Sequence, residues 1–277
     1  LETSKVPETS KVPETSKAPE TSKALETSKV PETSKALETS KVPETSKAPE
    51  TSEVPETSKV PDKHVFSSSF DLLREQTDYL LKELEEYAAE YNVPIVHKEV
   101  SDLLKVLLKF QKPKSILEVG CAIGYSSILF STSTNGEAKI ITVERNEKMI
   151  EQAKKNFKRS GFNENITLLE GDAEELLKNV EGEFDMIFLD AAKGQYQLFY
   201  DLVIDKLKVG GLLISDNILY KGMIADDALV MRRKKTIVKR MRNYLDYICN
   251  CDYLSTSLIP IGDGVALSYK EKERIEK

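Results

Sequence analysis

Between Ser115 and Ser215 short apolar runs alternate with helix-like segments, and this alternation constrains the fold more than any other feature of the chain. The strand-like runs lie at 115–119, 138–143, 166–169, 184–189 and 211–215, with helix-like segments near 124–132, 146–160, 173–180 and 196–207 between them. A strand, a helix and a second parallel strand close right-handedly, so the pattern predicts a doubly wound, mostly parallel α/β sheet. Two helices precede it. One covers 66–91 behind a capping cluster Ser67-Ser68-Ser69, and one covers 99–110 and is ended by Lys112-Pro113. After the last run the pattern predicts a helix over 226–249. Strands at 254–259 and 265–269 follow, joined by Pro260-Ile261-Gly262-Asp263-Gly264 as an antiparallel pair at the sheet edge.

The alternation starts late because residues 1–61 are of another kind. Glu-Thr-Ser recurs ten times there at a period of six, in a unit ETSK[VA][PL]. The stretch holds 8 of the 11 prolines, none of the 12 glycines and no Phe or Tyr. A hexapeptide solenoid needs branched apolar side chains stacked inward, whereas this unit offers one Val or Ala, usually before a proline with no ladder donor. The segment therefore reads as a disordered, polyproline-rich tail with 9 Lys against 11 Glu. A tether or a phosphorylation platform on its Thr-Ser pairs both fit. The expected division is a tail over 1–61 and a folded domain over 62–277, long enough to bury a core without disulfides or a structural metal.

Cys121, Cys249 and Cys251 make an odd count without paired CxxC spacing, which argues against a disulfide framework or a zinc site. Together with the lack of a secretory signal or a membrane-length apolar run, this points to a cytoplasmic protein with no membrane partner. The chain begins at Leu1 and not at Met, so its true start is expected upstream.

In such sheets ligands bind beyond the carboxyl ends of the strands, where four places stand out. Gly120 and Gly124 flank a tight strand-to-helix turn. Glu144 ends the second strand, 24 positions after Gly120, where an acid can take both hydroxyls of a ribose. Asp172, after the third strand, can bracket an adenine or cap a helix. Asp190, Asp216 and Asn217 fall at the ends of the fourth and fifth strands, and adjacent strands would bring three hard oxygen ligands together. That set favours magnesium or calcium over zinc, helix capping being the plainer alternative.

The order Leu117-Glu118-Val119-Gly120-Cys121-Ala122-Ile123-Gly124-Tyr125-Ser126, Val143-Glu144, Glu170-Gly171-Asp172-Ala173, Leu189-Asp190-Ala191-Ala192-Lys193 and Asp216-Asn217-Ile218-Leu219 resembles the cation-dependent class I O-methyltransferases of the catechol and caffeoyl-CoA type. The resemblance covers about 65 to 270 and implies a Rossmann-like class I methyltransferase sheet using S-adenosylmethionine and Mg2+. It implies a cofactor site of Glu118, Gly120, Gly124, Tyr125, Ser126, Glu144, Asp172, Ala173 and Asp190. Gly120, Tyr125 and Ser126 would lie at the methionine end, Glu144 at the ribose, and Asp172 with Ala173 at the adenine. It also implies metal ligands Asp190, Asp216 and Asn217, with Lys193 as general base. Where the animal catechol enzymes carry His-Trp, this chain has Ala191-Ala192, which implies a more open site and a larger acceptor.

Seven of the eleven residues from 232 to 242 are basic, in a domain whose net charge is −4 once the tail's −2 is taken from −6. On a helix Arg232, Lys235, Lys239 and Arg242 would share one face, suited to tracking phosphates, or they form an ordinary solvated face. From Arg232 through Gly264 the chain is similar to the bacterial tRNA 5-hydroxyuridine methyltransferases, a branch of the same family. That similarity implies a tRNA anticodon loop as partner, held by Arg232, Arg233, Lys235 and Lys239; Tyr220 and Tyr196 read first as core or wall residues, with stacking on the wobble uridine as the alternative. A homodimer is compatible with it. The alternatives are a small-molecule enzyme for catechols or hydroxycinnamoyl-CoA esters, and a tether protein whose working part is the repeat.

Overall fold

The computed structural model describes residues 69–275, with side chains from Leu72 onward. The repeat, and with it the expected disordered tail over 1–61, lies outside the described residues.

Five strands, β1 (Ser115–Val119), β2 (Lys139–Glu144), β3 (Ile166–Glu170), β4 (Phe184–Leu189) and β5 (Leu207–Ser215), run parallel. β6 (Leu254–Ile259) and β7 (Val265–Lys270) complete a seven-stranded sheet in the order β3-β2-β1-β4-β5-β7-β6, with β7 antiparallel to both neighbours. The expected antiparallel edge pair is therefore present, with β7 inserted beside β5. The order reverses between β1 and β4, which opens a crevice at their carboxyl ends.

Helices cover both faces. α1 (Ser69–Tyr91), α2 (Lys98–Gln111), α3 (Tyr125–Ser133) and α4 (Glu147–Ser160) share a core with Ile116, Ile140, Met186, Phe188 and Ile214 of the sheet. α5 (Ala173–Asn179), α6 (Tyr196–Val203) and α7 (Lys235–Asn250) enclose the opposite face, around Leu117, Ile187, Leu189 and Leu213. Strand residues alternate between the two cores as the pleat requires, and the central strands are buried on both sides. All three cysteines are free, as the odd count suggested. Among the described residues no helix is long and apolar enough to cross a membrane.

The helix expected over 196–207 ends at Val203 and passes into a 3-10 turn (Ile204–Lys206), and two further elements depart from the expected bounds. β5 begins at Leu207, four residues early, because Gly210, with φ +86°, lets the strand continue through a register irregularity against β4. The helix expected over 226–249 begins at Lys235. Asp226 instead accepts from Ala228 N–H to close a local 3-10 turn, and Val230 and Met231 are extended. Residues 216–234 therefore form a long connection beside the carboxyl end of β5.

Candidate active site

The turn after β1 is shaped by backbone that only particular residues tolerate. Gly120 has φ +94°, and a Cβ there would fall 2.2 Å from the Asp190 carbonyl oxygen. Gly124 has φ +87° and stands over the Phe157 ring, 2.5 Å from where its Cβ would be. Between them Ala122 is held at φ +46°, with its N–H donating to Glu144 Oε2 at 2.9 Å. Glu144 Oε1 accepts from the N–H groups of Arg145 and Asn146, both at 2.9 Å. Three backbone donors thus fix this carboxylate at the mouth of the turn.

Glu118, Tyr125 and Ser126 flank the same turn but play different parts. Ser126 lines the cleft. Tyr125 lines it too, yet its hydroxyl points away, donating to Glu85 Oε1 at 2.6 Å and lying 3.1 Å from Ser101 Oγ, which ties α3 to α1 and α2. Glu118 is wholly buried beneath the turn. Ser127 Oγ and Thr142 Oγ1 donate to its Oε2, while Oε1 has no partner among the described residues. Burial, with the charge of Asp190, pushes its carboxyl up to about 7 against the pull of the Ser126, Ser127 and Thr142 hydroxyls.

Two adjoining clefts run across the carboxyl ends of the strands and share Gly120, Glu144, Asp190, Ala191 and Ala192. One extends over β2 and β3 to Arg145, Asp172, Ala173 and Phe199. There Asp172 caps α5 through Glu174 N–H at 2.9 Å and meets Arg145 at 3.5 Å, so the capping role is realised at a cleft residue. The other cleft extends to Ser126, Lys193, Asn217 and the stretch Pro94–Ile95–Val96 between α1 and α2. Those three residues and Phe199 carry no chemical signature, and sequence reading missed them.

The register Leu189↔Ser215 brings Asp190 and Asp216 side by side. Burial raises both carboxyls above the ordinary range. The charge of Asp216 raises Asp190 further, while Lys193 pulls both down. Asp216 Oδ1 accepts from Asn217 N–H at 2.7 Å, and Oδ2 is buried with no partner among the described residues. Asn217 is held at φ +54°, with Oδ1 accepting from Lys193 Nζ at 3.1 Å. Two crowded carboxyls, a backbone held in a rare conformation and an orphaned buried oxygen fit a hard cation, which would relieve the repulsion and use the orphan. Among the described residues no three His, Cys, Asp or Glu side chains gather as a metal cluster, and here the third candidate ligand is an amide.

The basic run is not one helical face. Arg232 and Arg233 belong to a 3-10 turn (Arg232–Lys234) that precedes α7, while Lys235 and Lys239 lie on α7 itself. All four are exposed, and among the described residues none forms an ion pair. Arg242 turns inward, onto the connection after β5. Of the two aromatics considered as stacking surfaces, Tyr196 is core, its hydroxyl donating to the Asp216 carbonyl at 2.6 Å. Tyr220 is nearly buried and lies between the site and the basic turn, with Lys193 Nζ and Lys234 Nζ each 5.7 Å from its ring centroid.

Comparison with known proteins agrees with this geometry. Residues 71–271 match a family model described as O-methyltransferase. A caffeoyl-CoA O-methyltransferase from Petroselinum crispum is 28% identical over 202 residues, spanning 68% of this chain and 82% of that protein. Among solved structures, a candidate caffeoyl-CoA O-methyltransferase from Staphylococcus aureus is 37% identical, with a TM-score of 0.63 over 74% of this chain and 93% of that one. An SAH-bound methyltransferase from Podospora anserina is 25% identical, with a TM-score of 0.61 over 73% and 88% of the two chains.

Proposed function

This chain belongs to the O-methyltransferase family, and we propose that it transfers the methyl group of S-adenosylmethionine to the 5-hydroxyl of 5-hydroxyuridine at the tRNA wobble position. The observation that carries the acceptor is the exposed cationic surface of Arg232, Arg233, Lys235 and Lys239, without ion-pair partners among the described residues and joined to the site through Lys234, Tyr220 and Lys193. Such a surface suits a polyanion in a protein whose net charge is otherwise negative.

The paired clefts suit a long, two-ended cofactor. Glu144 would take the ribose hydroxyls through its remaining lone pairs, Asp172 and Ala173 would border the adenine, and Gly120 and Ser126 would meet the methionine end. Tyr125 acts indirectly, holding the turn against α1. Asp190, Asp216 and Asn217 would hold a divalent cation, which would supply Lewis acidity to the acceptor hydroxyl. Lys193 stands on the acceptor side, where its amine takes the hydroxyl proton or its ammonium steadies the oxyanion. Ala191 and Ala192 leave room for a base splayed out of a loop.

A second reading is kept because of the plant relatives: a small-molecule enzyme acting on caffeoyl-CoA or catechols. Incubation with labelled S-adenosylmethionine, Mg2+ and either hydroxyuridine-containing tRNA, caffeoyl-CoA or catechol separates the two. Label entering the tRNA is the expected result, and label entering only the small acceptors would overturn the proposal.

A further inference from the structure

The connection between β5 and α7 packs on α7 through residues of its own. Tyr220, Met223 and Val238 form a small apolar cluster separate from the two main cores, with Val230 and Ile237 against it. Its first part is fastened to the β6–β7 turn. Ile218 N–H donates to Gly264 O at 3.0 Å, Leu219 N–H to Asp263 O at 2.8 Å and Lys221 N–H to Asp263 Oδ1 at 2.6 Å.

Residues 222–231 are held differently. Their backbone bonds stay within the connection, as in Met223 N–H to Tyr220 O at 3.2 Å, Ile224 N–H to Leu219 O at 3.2 Å and Val230 N–H to Asp227 O at 3.1 Å. Among the described residues, the one side chain from another element that hydrogen-bonds to them is Arg242 of α7. Its guanidinium donates from Nε to Ile224 O at 3.0 Å, from Nη2 to Met223 O at 3.1 Å and from Nη1 to Asp227 Oδ1 at 2.7 Å. Three donors of one planar fork thus meet two carbonyls and a carboxylate in a single short stretch.

We infer that Arg242 is a positioning residue for the acceptor: its guanidinium latches residues 222–231 onto α7 and so holds Met223 against Tyr220, the wall that stands beside Lys193. This rests on the acceptor binding beside Lys193, as in the proposed function. Neither cleft is lined by a residue of 222–231, and the one that holds Ser126 reaches Lys193 and Asn217 only at its acceptor end, so the latch acts through that end. A lysine cannot replace it, because one ammonium on a flexible stem does not reproduce a fixed fork. Arg242 therefore belongs to the connection and not to the phosphate-facing surface, although it lies in the same basic run.

The test compares wild type with Arg242→Gln and Arg242→Lys. The acceptor KM should rise about tenfold or more in both variants, since a displaced wall misplaces the reacting oxygen, while the calorimetric affinity for S-adenosylmethionine stays within about twofold. Hydrogen exchange should quicken across 222–231 and remain slow across α7. The slope of log tRNA affinity against log salt should match wild type; a fall of about 0.7 would make Arg242 a phosphate ligand instead and overturn the latch. Unchanged exchange in 222–231 overturns it, as does quickened exchange with an unchanged KM. Parallel loss of donor affinity and of α7 protection would reduce Arg242 to holding the fold. If wild type methylates catechol and not tRNA, the tRNA reading falls, and the same KM comparison is made with catechol.

Discussion

Replacing Glu118 by glutamine should reverse its own effect on stability as the pH changes. The carboxyl is buried with one oxygen accepting from Ser127 and Thr142 and the other without a partner among the described residues. Its proton is held more tightly in the folded protein than in the unfolded chain. The stability this confers is fully present below the ordinary value of 4.5 and is lost as the pH rises through about 7. At about 1.4 kcal/mol per tenfold change in proton affinity, the loss reaches about 3 kcal/mol. Glutamine keeps the shape and can accept from both hydroxyls, but it leaves its amide unpartnered where Oε1 was, at a pH-independent cost of about 1 kcal/mol. The variant should therefore be less stable by about 1 kcal/mol near pH 3.5, about level with wild type near pH 5, and more stable by about 2 kcal/mol near pH 8.5. Urea unfolding of both proteins across this range, without cofactor or added metal, reads the difference directly. Asp190 and Asp216 titrate in both proteins, so most of their contribution cancels. Parallel stability curves for the two proteins would refute the assignment of a buried, reluctantly ionised carboxyl to this turn.

Activity should be lost in excess EDTA and restored by Mg2+, and Asp190→Ala should abolish methyl transfer while unfolding stays cooperative; full turnover in EDTA would remove the metal from the site. Reversing Arg232 and Lys235 to Glu should lower the slope of log tRNA affinity against log salt by about 0.7 for each phosphate no longer neutralised, and equal slopes for variant and wild type would favour the small-molecule reading. Gly120→Ala should cost about 3 kcal/mol or more in urea unfolding, because a Cβ at positive φ would strike the Asp190 backbone oxygen and neither strand end can yield cheaply; a loss under about 1 kcal/mol would show that the crossing of β1 and β4 is loose.

The alternation of apolar runs from 115 to 215 was enough to specify the parallel sheet, because strand burial and helix periodicity are local properties that each segment carries in its own side chains. The site residues at the ends of those strands were legible for a related reason. Topology delivers every strand end to one crevice, so a glycine turn, an acid after β2 and paired Asp residues after β4 and β5 can be placed without knowing their partners. Pairings between distant residues were not legible. Nothing near 226 shows that Asp226 would close a turn, or that Arg242, sixteen residues on, would claim the same connection and leave α7 to begin at Lys235. Similarly, only the packing of α1 and α2 against α3 decides that the Tyr125 hydroxyl faces Glu85 and Ser101 and not the cleft. Residues 94–96 enter the site because α2 begins above the β1 turn, and their apolar side chains announce nothing beforehand. Local patterning thus determined the scaffold and placed the candidate residues at its strand ends. The tertiary structure decided which polar groups are used up internally, because a guanidinium or hydroxyl takes whichever partner packing presents to it.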